Sequence, residues 1–360
     1  MVLETEGLPP REPALRLLSA GWASHAVRAM AALGLADHLA AGPRTPEELA
    51  AASRTHAPTL ARLLRTLAAL GLCATDGDGR VRLTPHGEFL RSDAPDSVRP
   101  YALALLAPHV ERAWEGLPEA VRTGEPAFPR VHGLGFWEYL AAHPEEGAAF
   151  DAAMTGGAEE RARALMAARD LAGVGTLVDV GGGQGRLLAA ALTATPGLRG
   201  VLFDRPEVLP GTEAFLTGAG VRDRCELVGG DFLAAVPAGG DAYVLAVVVH
   251  DWPDEQAVAI LRACHRAMAP GARVWLVERV VRPGDAFDRT KLLDLLMLVY
   301  PGGQERTLAE YRTLLTSAGL DHAEGRVGRV DGDPLEPSRL QQRPVLRLGA
   351  LLGAEQDQHQ

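Results

Sequence analysis

The segment that most narrows the possible folds begins at Leu177. Leu177-Val178-Asp179-Val180 has the apolar texture of a buried strand. It runs directly into Gly181-Gly182-Gly183-Gln184-Gly185 and then into a helical stretch over 186–192. Glycine lets the backbone turn sharply and approach a ligand closely, and the helix beyond presents unpaired N–H groups at its start. Alone, a glycine-rich strand-to-helix turn is a weak signal. Here it sits in a series: β-runs at 200–203, 225–228, 242–249 and 274–281 alternate with helical stretches. Strands alternating with helices call for a parallel sheet covered on both faces. The unbroken apolar run over 244–249 marks a central strand of that sheet.

Open α/β sheets bind ligands at the carboxyl ends of their strands. The run after the glycines ends at Asp204, roughly 20 residues on, where an acid accepts from ribose hydroxyls. The next ends in Gly230-Asp231-Phe232, a carboxylate and an aromatic placed where an adenine would lie. Each acid by itself also reads as a helix cap or loop acid; their arrival at successive strand ends favours a nucleotide-like ligand. Asp179, just before the turn, would repel a pyrophosphate but receive an ammonium group, directly or through water. That points to S-adenosylmethionine rather than a dinucleotide.

The fourth run is expected to end at His250, followed by Asp251-Trp252-Pro253-Asp254, and the fifth at Glu278. Further on, Pro301-Gly302-Gly303-Gln304-Glu305-Arg306-Thr307 supplies Glu305 in a turn. A phenol, with an unperturbed pKa near ~10, must lose its proton as a methyl group arrives. An imidazole at a strand tip, titrating near neutrality and held by carboxylates, is a suitable base.

The N-terminal part has a different texture. Residues 14–39 place Leu15, Leu18, Trp22, Ala26, Met30, Leu33 and Leu35 on one helical face. Thr45-Pro46-Glu47-Glu48 reads as N-cap, first-turn proline and first-turn acids. A second start at His56-Ala57-Pro58 leads into a leucine-rich helix stopped by Gly71, and 73–75 with 81–84 read as a small hairpin. Helix, helix, hairpin is the winged helix-turn-helix pattern. Its second helix offers only Arg62 and Arg65 among leucines, and the net charge is -10. Nucleic-acid binding is therefore disfavoured, and a packing or dimerisation module is expected. Residues 100–170 read as helical throughout, with Trp114, Phe136, Trp137, Tyr139, Phe150 and Met154 as the large side chains. The expected division is a winged-helix-like module over 1–105, a helical linker and pocket cap over 106–165, and an α/β domain over 166–360.

No apolar run is long enough to span a bilayer, and the N-terminus lacks the order of a signal peptide. The cysteines, Cys73, Cys225 and Cys264, are odd in number and far apart. Neither a disulfide framework nor a zinc site is suggested, so a reduced, cytoplasmic protein is expected. Lys291 is the only lysine, and with heavy use of Ala and Gly this points to a high-GC bacterial genome.

Taken in order, the motifs at 178–185, 203–206, 230–232, 250–252, 277–278 and 301–307 closely resemble the plant-type small-molecule O-methyltransferases. That family includes the caffeic acid and hydroxyindole enzymes and many bacterial natural-product tailoring enzymes. The resemblance covers roughly residues 12–325. It implies a Rossmann-like S-adenosylmethionine-binding α/β domain behind a mainly helical winged-helix dimerisation domain, with S-adenosylhomocysteine as product. Gly181 and Gly183 would border the methionine part of the cofactor, Asp204 the ribose, and Asp231 with Phe232 the adenine. Asp179, Arg205 and Trp252 belong to the same expected set. His250 would be the base, flanked by Glu278 and Glu305. Phe150 and Met154 match the family's closing helix and Met297 the helix before the Pro-Gly-Gly turn. With Trp137, Asp251 and Tyr300 they form the expected substrate set, suited to a small aromatic or polyketide acceptor. The resemblance also implies a homodimer through the N-terminal module. No metal is expected, because ribose, adenine and histidine account for the acids.

Two positions depart from the family pattern. A cofactor-contacting lysine is replaced by Ala246, which predicts weaker cofactor binding, and Tyr300 stands where a smaller polar residue is common. Some family members use the same cofactor for decarboxylation or hydroxylation; His250, Glu278 and Glu305 together favour methyl transfer. Outside the family, a winged-helix ligand sensor and a nicotinamide-dependent oxidoreductase compete with it. The acidic charge and the His/Glu set count against the sensor, and Asp179 counts against the dinucleotide.

Overall fold

The computed structural model describes residues 9–320, apart from 10, 95, 156–160, 164, 167–170 and 172. The chain forms two compact units. One comprises the described residues up to Arg112 together with 143–155; the other comprises Ala113–Ala142 and the described residues from 161 onward. The segment expected as a linker is thus shared between them.

In the first unit, helices Glu12–Ala32, Leu35–Leu39, Pro46–Ser53 and Ala57–Ala69 precede an antiparallel hairpin, β1 (Cys73–Thr75) and β2 (Val81–Leu83). The single helix expected over 14–39 is broken after Ala32, because Gly34 adopts φ +60 and reverses the chain before the short second helix. The start at Thr45 forms a reciprocal cap: Glu48 N–H donates to Thr45 Oγ1, and Thr45 N–H donates to the Glu48 carboxylate. Met30, Leu35, Leu49, Leu60, Leu64, Leu67, Val81 and Leu90 form the core. At about 1.5–3 kcal/mol per fully buried side chain, these leucines are the main stabilising term. Leu15, Leu17, Leu18 and Trp22 on the first helix remain exposed, Trp22 at 76%.

The second unit holds a five-stranded parallel sheet of β3 (Thr176–Val180), β4 (Arg199–Asp204), β5 (Cys225–Gly229), β6 (Ala242–Ala246) and β7 (Arg273–Val277), in the order β5-β4-β3-β6-β7. Alternate residues serve opposite faces. Val178, Val180, Tyr243 and Leu245 pack with the helices Asp254–Ala267 and Leu308–Ser317, while Leu177, Leu202, Val244 and Trp275 pack with Arg186–Ala194 and Leu209–Gly218. The strand order reverses direction between β3 and β6, and this switch point is where such a sheet opens a ligand crevice. No helix among the described residues is long and apolar enough to cross a membrane.

One expected strand ends early. The apolar run 242–249 predicts a strand with His250 at its tip, but β6 stops at Ala246 and Val247 takes φ +59. A left-handed β-branched residue is a backbone outlier, costing about 1–3 kcal/mol. His250 sits in a single 3-10 turn, Val249–Asp251. The run expected over 274–281 likewise ends at Val277. The stretch expected to be helical throughout over 100–170 forms, from Arg99 to Thr155, a series of short helices, two of them ended by glycines with positive φ.

Candidate active site

The turn after β3 is built by glycine conformations. Gly181, Gly183 and Gly185 have φ of +71, +55 and +76. Gly181 N–H donates to Phe203 O at 2.8 Å, closing the turn onto β4. A Cβ at Gly181 would lie 2.8 Å from Val248 Cγ2, and one at Gly182 would lie 2.8 Å from the Asp179 carboxylate. At Gly183 a Cβ would meet nothing within 4 Å, so the backbone there faces open space. Gly185 then caps the helix Arg186–Ala194.

Asp204 closes over this turn. Its Oδ2 accepts from Gly183 N–H at 2.8 Å and its Oδ1 from Arg205 N–H at 2.7 Å. Burial raises its pKa, and those two N–H groups oppose the rise. Asp179 is 1% exposed, and its Oδ2 has no hydrogen-bond partner. Burial first and repulsion from Asp204 second push its carboxyl up to about 7, with Arg161 pulling it back. A buried carboxylate oxygen without a partner is costly unless a donor is supplied. Asp179 therefore fits a cationic amine, and the open backbone at Gly183 leaves room beside it. Thr212, fully buried, donates to Gly183 O at 2.9 Å and ties the turn to the next helix. Nothing in the local sequence marks that threonine. Arg205 lies with its guanidinium 5.6 Å from the Trp137 ring centroid. At the end of β5, Asp231 Oδ1 accepts from Leu233 N–H, and Phe232 meets the Trp252 ring edge-on at 5.6 Å.

Across the switch point, His250 is 5% exposed and its ring is bracketed by carboxylates. Its Nδ1 lies 3.0 Å from Glu305 Oε1 and its Nε2 3.4 Å from Asp251 Oδ1. A carboxylate only accepts, so in the neutral ring a hydrogen kept on Nδ1 toward Glu305 leaves the lone pair on Nε2, and in the imidazolium both nitrogens face a carboxylate. Arg279 Nη1 lies 3.8 Å from the same Glu305 oxygen.

Glu278 is one of the acids whose charge acts on the ring, and it also holds backbone. Its Oε1 accepts from the N–H groups of Val248 and Val249, at 3.0 and 2.7 Å, and so holds the backbone that leads into His250. These are the N–H groups released where β6 breaks. Burial raises the Glu278 carboxyl, while His250 draws it down.

The imidazole is not poised at neutrality. Burial alone would lower its pKa, but the carboxylates of Asp251, Glu305 and Glu278 outweigh burial and raise it to about 9. Asp251 is driven up to about 7, chiefly by burial, with His250 opposing. A ring alone at a strand tip would titrate near neutrality; the three acids around this one make it a stronger base, closer to a phenol.

Of the expected substrate residues, Met297 and Tyr300 are buried at the end of the helix Arg289–Val299 and just beyond it. Tyr300 stacks on Phe136 at 5.6 Å and meets Trp114 edge-on at 6.3 Å, and Trp137 packs against Phe136. Phe150 and Met154 lie on the helix Pro144–Thr155, which belongs to the first unit. Among the described residues, no group of three or more His, Cys, Asp or Glu is arranged to hold a metal ion.

Comparison with known proteins bears on this arrangement. The O-methyltransferase domain family matches residues 114–321, and the O-methyltransferase dimerisation domain family matches residues 15–93. The chain is 41% identical over 306 residues to the phenazine O-methyltransferase PhzM of Lysobacter antibioticus, covering 85% of this chain and 89% of that protein. Among solved structures, the mitomycin 7-O-methyltransferase MmcR is similar at a TM-score of 0.85 and 36% identity, covering 95% of this chain and 98% of that one. An O-methyltransferase of neocarzinostatin biosynthesis, solved with S-adenosylmethionine and 2-hydroxy-5-methyl naphthoic acid, is similar at a TM-score of 0.72 and 40% identity, covering 84% and 92%. The parallel sheet, the helical N-terminal module and these matches agree, and the chain belongs to the O-methyltransferase family of two-part enzymes with a dimerisation domain and a Rossmann-like catalytic domain.

Proposed function

We propose that this S-adenosylmethionine-dependent O-methyltransferase methylates a phenolic hydroxyl of a small aromatic natural product, with His250 Nε2 taking the proton. S-adenosylmethionine supplies an electrophilic methyl group on its sulfonium, and S-adenosylhomocysteine is the product. The observation that carries the assignment of the base is the Nδ1–Glu305 contact at 3.0 Å, which in the neutral ring leaves Nε2 as the accepting atom. As the phenol proton arrives at Nε2, Glu305 and Asp251 stabilise the imidazolium that forms. Asp179 is suited to the ammonium of the methionine part and Gly183 to a close backbone approach. Asp204 keeps free lone pairs for ribose hydroxyls, and Asp231, Phe232 and Trp252 suit an adenine. Met297, Tyr300 and Trp137 suit a flat ring, as do Phe150 and Met154 by the family resemblance.

The exposed leucines and Trp22 on the first helix support a homodimer through the N-terminal unit. The three free cysteines, all buried, suit a reduced cytoplasmic setting. The direct test is incubation with S-adenosylmethionine and a panel of hydroxylated phenazines, naphthoates and benzoates, followed by mass spectrometry. A methyl ether identifies the acceptor class. Conversion without methylation, such as decarboxylation or hydroxylation, would replace this reading.

A further inference from the structure

We infer that Arg306 is a positioning residue for His250, and that the turn carrying Gln304, Glu305 and Arg306 holds the ring and the backbone of the base as one piece. The inference rests on His250 being the base. The 3-10 turn Val249–Asp251 has little to hold itself: Asp251 N–H reaches Val248 O at 3.2 Å and Trp252 N–H reaches Val249 O at 3.3 Å. Three carbonyls in and beside it accept from another stretch of chain. Arg306 is fully buried, and its Nη1 donates to Val249 O at 3.1 Å and its Nη2 to Trp252 O at 2.7 Å. Of the two carbonyls between them, His250 O accepts from Gln304 N–H at 2.8 Å.

The guanidinium is itself fixed. Nη1 also reaches Gln304 O at 3.3 Å, and Nε and Nη2 reach Asp254 Oδ1 at 3.0 and 2.9 Å. Gln304 Nε2 donates to the same Asp254 oxygen at 2.7 Å. Gly303 lets the turn lie this close, since a Cβ there would fall inside the backbone of His250 and Asp251. Glu305, between Gln304 and Arg306, holds the ring through Nδ1. A single stretch of chain therefore sets where the base sits and how its ring is turned. Only a planar fork of donors reaches carbonyls on both sides of His250–Asp251; a lysine keeps the charge but not the fork.

The test compares Arg306→Lys with wild type in kcat, acceptor KM, calorimetric cofactor affinity and hydrogen exchange, with His250→Asn as background. Misplacing a base by about 1 Å costs up to ~10²-fold, so kcat should fall roughly 10–100-fold. Acceptor KM and cofactor affinity should stay within about twofold, as expected when only the transition state is affected. Amide exchange should quicken over 248–252 and not over 181–185. In the His250→Asn background Arg306→Lys should have little further effect, because a residue acting through another is non-additive with it. Unchanged kcat with native exchange, or the same fall in both backgrounds, would overturn the proposal. If His250→Asn alone keeps full activity, the base assignment fails, while the exchange over 248–252 still decides whether Arg306 holds the turn. Should Arg306→Lys not fold, Asp254→Asn replaces it, since that carboxylate is 66% exposed. A smaller kcat fall with quickened exchange over 248–252 supports the role, and no change in either rejects it.

Discussion

Two turns stand side by side at the carboxyl edge of the sheet, after β3 and after β6, and they are held in opposite ways. The glycine turn shapes itself. Its positive φ values belong to glycines, and Asp204, its main side-chain partner, is 21 residues from Gly183. The His250 turn contains no glycine and follows a left-handed valine, Val247. Glu278 takes its N–H groups from 29 and 30 residues away, while Glu305 and Arg306 hold its ring and carbonyls from 54 to 57 residues away. The difference teaches that a binding loop can be set by local backbone freedom, whereas the base is set by side chains brought from distant chain.

Substitutions on the two sides should therefore separate in kinetics, and the largest effect belongs to the base. His250→Ala should lower kcat by roughly 10²–10⁴-fold with cofactor affinity nearly unchanged; calorimetry and turnover with a validated acceptor check both halves. Intact turnover would show that placement of the acceptor suffices. On the other side, Asp179→Asn should weaken cofactor binding by about 10–100-fold, the value of a charge-assisted hydrogen bond, and leave kcat at saturation largely intact. A kcat loss there instead would merge the two turns into one functional unit.

Solution pH should distinguish them next. The His250 pKa is raised to about 9, so the imidazole is largely protonated at neutrality and kcat should climb toward pH 9. The climb should be about tenfold per unit on the acid limb. Asp251→Asn removes one of the acids that raise it and should move that limb to lower pH. The Asp179 carboxyl is raised to about 7, so protons compete with an ammonium ligand, and cofactor affinity should fall as pH drops below 7. For folding the sign is reversed. The raised Asp179 pKa favours the folded state at low pH, and that contribution is lost as pH rises from the ordinary aspartate range through 7. Denaturation midpoints of wild type and Asp179→Asn across that window measure it. The smallest effect is expected at the last residue of β6, where Ala246→Lys should tighten cofactor binding by no more than about tenfold, the range of one exposed charged contact. No change would show that the departure from the family pattern is immaterial.

Much of the molecule is legible in its sequence, for physical reasons that differ by element. Alternating strands and helices, the Thr45 cap and the glycine turn are local features, and local chemistry decides them. The early end of β6 is not legible, since an apolar run over 244–249 gives no sign that Glu278 will take the N–H groups of Val248 and Val249. Glu305 stands out from its motif, but Arg306 beside it does not; a buried arginine announces itself only when its carbonyl partners are known. Thr212 is hidden for the same reason.

The sequence by itself determined the parallel sheet, the glycine turn after its first strand and the set of acids available at its edge, because period, turn residues and strand ends are written in neighbouring positions. Tertiary structure alone decided how those acids are shared: Glu305 and Asp251 to the ring, Glu278 to the backbone, with Arg306 given to the carbonyls. Both the orientation of His250 and the rise of its pKa depend on charges that meet only when the chain has folded, and no local rule fixes their distances.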